Sequence, residues 1–65
     1  MRIRYFEDTD TLLIELRQIA AAETRDLDDD TVVDLDADGN VCAITLEHAS
    51  QRTALSQFSY ERVAA

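Results

Sequence analysis

Asp34, Asp36 and Asp38 alternate along the chain and run into Gly39 and Asn40. Carboxylates at that spacing are what the head of a calcium loop offers. Such a loop needs oxygen ligands at positions 1, 3 and 5, a glycine at 6 for the sharp turn, and a bidentate glutamate at 12. Counted from Asp34, the three aspartates and Gly39 fit, but Thr45 stands at position 12. The flanks alternate apolar and polar residues, as strands do, whereas an EF-hand loop is held between helices. A hairpin turn needs only what is present, since Asp and Asn tolerate left-handed backbone and Gly39 takes positive φ freely. The stretch therefore reads as a turn without a calcium ion, with Asp34 and Asp36 on the solvent face of a half-buried strand.

Three other side chains could act as nucleophile or base: Cys42, His48 and Ser50. A nucleophile needs a base within hydrogen-bond reach, itself oriented by a third group. His48 and Ser50 fall where a strand gives way to a helical pattern, and there Ser50 is more simply a helix N-cap. Cys42 falls on the inward face of its strand, where cysteine behaves as a small buried hydrophobe. One His and one Cys cannot close a tetrahedral zinc site within a chain. One glycine cannot make a phosphate-cradling loop. The carboxylates fall on strand faces and turns, "DLDDD" (26–30) among them, and a domain this small has little room for the desolvated pocket that general acid work requires. The sequence thus offers no catalytic, cofactor-binding or metal-binding residue, and no enzyme is expected.

The elements that position these residues are mostly strands. "RIRYF" (2–6) alternates with Ile3 and Tyr5 on one face, and "TLLIEL" (11–16) with Leu12, Ile14 and Leu16. The polar break "EDTD" (7–10) between them makes a hairpin. "RQIAAAE" (17–23) is ambiguous, because its alanines suit a short helix while the next strand must begin nearby. "TRDL" (24–27) reads as a strand and "DDD" (28–30) as a turn. "TVVDLD" (31–36) and "VCAITLE" (41–47) form a second hairpin. Pairing Asp36 with Val41 sets Leu35 opposite Cys42 and Val33 opposite Ile44, so both inward sets share a face. From His48 the period becomes helical, and a short helix over 48–58 can lay Leu55 and Phe58 on the sheet. "FSYERV" (58–63) alternates weakly and suits a last strand or a tail.

"RYFEDTDTLLIEL" followed by "DLDADGNVCAITLEHAS" resembles the DUF2283 family of small bacterial proteins. The shared pattern is a strand, an acidic turn, a D-x-L-x-I-x-L strand, then D-x-D-x-D-G-N-V leading into I-x-x-x-x-A-S. The resemblance runs from Arg4 to Ser50, and it departs from the family at Ala43, where glycine is the usual residue. It implies one small α+β domain, residues 1–65, with an antiparallel sheet and no established activity. Some members sit beside small toxin-like proteins, which makes an antitoxin-like role conceivable.

The expected fold is α+β: an antiparallel β-meander of four or five strands with one short C-terminal helix. The 65 residues carry 14 Asp and Glu against six arginines, a net charge of −8. That repels nucleic acid and anionic lipid and suits a basic protein partner. No apolar run reaches a membrane span's ~18 residues, the N-terminus has no signal core, and a single cysteine fits a reducing cytoplasm. A chain this short buries only about 60% of its unfolded surface and has no internal disulfide. Self-association is the expected staple, as a homodimer joined through the second sheet face, where Phe6, Leu13, Val32, Val41 and Ala43 fall. The expected function is a non-catalytic homodimeric structural or interaction module. The alternative is an acidic antitoxin that masks a small basic toxin.

Overall fold

The computed structural model describes residues 1–64. Five strands form one antiparallel sheet: β1 (Arg2–Phe6), β2 (Thr11–Glu15), β3 (Glu23–Asp28), β4 (Thr31–Leu35) and β5 (Val41–Leu46). One short helix, α1 (Ala49–Arg52), follows. This is the α+β architecture expected, with all five strands present. The spatial order is β1-β2-β5-β4-β3. Segment 16–22 carries the chain from β2 past β5 and β4 to the far edge. It takes no helical form, and the amides of Leu16, Arg17 and Ala22 bond to the carbonyls of Cys42, Cys42 and Leu35. Those backbone bonds to the sheet end outweigh the helical preference of its alanines.

Register sorts the side chains into rows. Ile3, Ile14, Ile44 and Val33 stand side by side across β1, β2, β5 and β4, and so do Tyr5, Leu12, Leu46 and Thr31. Paired residues share a face, so these rows make the first face. Arg4, Leu13, Thr45 and Val32 make a row on the second, beside Arg2, Glu15, Ala43 and Asp34.

The β4–β5 register corrects one expectation. Val33 does face Ile44, but Leu35 faces Val41 rather than Cys42, because the register shifts between Asp34 and Leu35. Cys42 is the extra residue of a bulge, and its thiol donates to the Asp34 carbonyl at 3.3 Å. The shift moves Val41 onto the first face, not the second. Cys42 stays buried, but it lines a cleft on the second face with Leu13, Glu15 and Ala43. An extra residue beside a turn reverses the alternation locally.

The helix is much shorter than 48–58. It stops at Thr53, whose φ of −151° and ψ of 156° are extended. Four residues cannot repay the cost of helix nucleation alone, so α1 depends on what holds it to the sheet. Beyond it the described residues form neither helix nor strand, so 58–63 is a tail. Leu55 is half-buried and Phe58 is 69% exposed, so neither covers the first face as a helix would.

The core is correspondingly small. Among the described residues the buried apolar side chains are Val33, Leu35, Cys42 and Ala49. The radius of gyration is 13.0 Å, against about 11 Å for a compact chain of this length. No helix among the described residues is long and apolar enough to cross a membrane.

Candidate functional site

The residues with chemical potential gather at one end of the sheet. Antiparallel pairing brings the β1–β2 turn, the β3–β4 turn and the β5–α1 junction to that end. There Asp10 meets Ser50 across forty residues of sequence. The Asp10 carboxylate accepts from the Tyr5 hydroxyl at 2.6 Å, from the Ser50 amide at 3.0 Å and from the Ser50 hydroxyl at 2.7 Å. Its own carbonyl accepts from the Ala49 amide at 2.9 Å. Asp10 therefore caps α1 from another element. Ser50 is not the N-cap: His48 is, in left-handed backbone with φ 55° and no side-chain cap bond. Asp10 shares that backbone, also at φ 55°. Left-handed geometry costs a non-glycine residue stability, and the bonds between the two segments hold both in place.

A second set of bonds lies beside the first. His48 Nδ1 and Asp30 Oδ1 are 2.9 Å apart. Arg52 donates to the Asp30 carbonyl and to the Thr31 hydroxyl, each at 2.7 Å. His48 and Ser50 thus face different carboxylates. Ser50 donates to Asp10 while His48 pairs with Asp30, so the serine–base contact that nucleophilic catalysis requires is not made.

Electrostatics match this fastening role. The Tyr5 hydroxyl, then Ser50, hold the Asp10 carboxyl below the usual range, and the same bond pushes the Tyr5 hydroxyl up. The Asp28 carboxyl is lowered by the Asp30 amide first and the Thr31 hydroxyl second. These are carboxylates stabilised as anions by donors, the reverse of the raised carboxyl that a general acid needs.

The chain turns at residues 36–40, directly after β4, as the residue types there indicate. Asp36 Oδ1 accepts from the amides of Asp38 and Asn40, each at 2.9 Å, and the Gly39 amide donates to the Asp36 carbonyl at 3.0 Å. Gly39 has φ 83°, the left-handed geometry its type suits. Asp36 departs from expectation, for it is buried rather than on a solvent face. The strand ends at Leu35, so the alternation that put Asp36 outward stops one residue early. Asn40 and Asp38 amides hold its carboxyl below the usual range. Asp34 accepts from the Thr24 hydroxyl at 2.7 Å. Among the described residues, no group of three or more His, Cys, Asp or Glu side chains is placed to hold a metal ion.

Two hollows remain. The cleft beside Cys42, about 410 Å³, contains Glu15, whose nearest cation is Arg4 at 3.8 Å. The larger, about 680 Å³, lies on the first face between Ile3, Tyr5, Leu12, Ile14 and the segment after α1. Sequence patterning identified that face but gave it a helical cover that does not form. The Asp10–Ser50 junction was also missed, since no local signal pairs residues so far apart.

Among curated proteins and solved structures, nothing matches the chain. A family model described as a protein of unknown function matches residues 2–50, from the first strand to the serine that Asp10 holds. That match takes in the whole sheet and the fastened junction, and the chain belongs to the DUF2283 family.

Proposed function

We propose that the protein is a non-catalytic protein-interaction module that works as a homodimer in the cytoplasm. The observation that carries this reading is the missing second layer. Small domains are built from two packed layers around a core, whereas here the sheet and α1 together bury only Val33, Leu35, Cys42 and Ala49 among the described apolar residues. A second copy supplies what is absent. The non-catalytic part draws support from the Asp10 carboxylate, the Ser50 hydroxyl and His48 Nδ1, which are engaged in holding the β5–α1 junction to the turns of the sheet. The cytoplasmic part draws support from the lone cysteine, Cys42, a free thiol.

If folding and association are linked, stability must rise with protein concentration. The thermal midpoint is therefore expected to increase between about 5 and 500 µM. A cooperative transition with a midpoint independent of concentration contradicts the dimer.

A second reading, an acidic antidote for a basic protein, draws on the net charge of −8 and on where it lies. Glu15, Asp26 and Asp34 fall on the second face beside Arg2 and Arg4, so most of the acidic charge lies in the turns and not on that face. A basic partner could then be held while a dimer stays intact. Saturable binding of an arginine-rich peptide at about 0.15 M salt, read by calorimetry, supports it; binding confined to low salt marks mere screening-sensitive attraction and contradicts it.

A further inference from the structure

Resting on the homodimer reading above, we infer that the partner of the first sheet face is the same face of a second copy, stacked sheet on sheet. The rows Ile3, Ile14, Ile44, Val33 and Tyr5, Leu12, Leu46, Thr31 cross four strands without a charged residue. Charge meets these rows at their ends: Arg25 beside Val33 and Asp28 beside Thr31 on β3, the Asp10 carboxylate on the Tyr5 hydroxyl and the Arg52 guanidinium on the Thr31 hydroxyl. The second face is different: Arg2, Arg4, Glu15, Asp34 and Asp26 interrupt it on every strand but β5.

That distribution selects the occupant. A chain of charge −8 repels its own copy unless the contact lies away from the charges. The first face is where it does. A basic partner would find no carboxylate on those four strands to pair with, so the face has no electrostatic means of choosing it. A two-fold contact requires only that the patch be complementary to itself, and uncharged rows of Ile, Leu and Val meet that condition.

Five strands of five or six residues, at about 3.3 Å per residue and about 4.8 Å apart, make a face of about 400 Å². The contact therefore falls below the roughly 800 Å² that each partner contributes to a standard interface. Ile3 and Tyr5 remain 40% and 38% exposed, while Leu12, Ile14, Ile44 and Leu46 are half-buried. The segment after α1 lies beside Ile3, Tyr5, Leu12, Ile14 and Leu46, so the two copies meet over the part of the face that it leaves open, with the β3 charges at the rim.

The test uses the wild-type chain, mixing isotope-labelled and unlabelled copies and recording magnetisation transfer between them. Transfer at the methyl groups of Leu12, Ile14 and Leu46 is expected. Transfer at Leu13 and Val32 instead overturns this face assignment and leaves the dimer standing, as does a dimer with no transfer at Ile14. A monomer mass overturns both. Adjacent residues of β2 give an independent check, because Leu13 and Ile14 point to opposite faces. Leu13→Glu is expected to keep the wild-type association, and Ile14→Glu to weaken it at least about tenfold, the scale of a central interface residue. Dissociation by Leu13→Glu with association intact in Ile14→Glu overturns the assignment.

Discussion

The Asp36 carboxylate holds the amides of Asp38 and Asn40, whereas Asp38 enters the turn through its N–H. Removing Asp36 leaves two backbone donors to find water at a buried position; removing the Asp38 side chain leaves both bonds intact. Asp36→Ala is therefore expected to lower the urea midpoint more than Asp38→Ala. Gly39→Val should also exceed Asp38→Ala, at about 1–3 kcal/mol, because a β-branched residue resists φ 83° even though nothing crowds its Cβ. Equal midpoints for the three variants contradict this account of the turn. Acid should act through the same groups. Asp10, Asp28 and Asp36 all have folded carboxyls below their usual range. Their contribution is complete above the unfolded value of about 3.9 and is lost as the pH falls through the lowered folded values. Urea midpoints that fall steadily below pH 4 agree with this; a midpoint flat from pH 5 to 2 does not.

At the level of elements, α1 is held by Asp10 rather than by its own sequence. Asp10→Ala removes the acceptor of the Ser50 amide and hydroxyl. Hydrogen exchange at Ser50 is expected to accelerate in that variant while β4 and β5 amides keep their protection. Unchanged exchange at Ser50 contradicts the cap. Four of the five strands were legible because alternation at period two reports a sheet with one apolar face directly, whereas β3, exposed along its whole length, carries no such pattern. The Gly39 turn was legible too, from residue types that tolerate left-handed backbone. What escaped was whatever depends on distant partners. The bulge at Cys42 leaves no mark on the alternation of β5 itself and shows only in its pairing with β4. The helical spacing of Ala54, Leu55 and Phe58 had no strong nucleus behind it. The capping of Ser50 by Asp10 joins residues that only the completed sheet brings together.

The whole molecule is a sheet with one half-covered apolar face, a net charge of −8 and a radius of gyration of 13.0 Å. A single layer of this size stands near the limit at which apolar burial balances chain entropy. Pairing two copies removes the exposed rows from water at about 25 cal/mol per Å² and leaves the carboxylates outside. Sedimentation equilibrium across the micromolar range measures this most directly. A mass of twice the 7.3 kDa chain, falling toward one chain only as the protein unfolds on dilution, is the result expected. A folded species of 7.3 kDa at every concentration would contradict it.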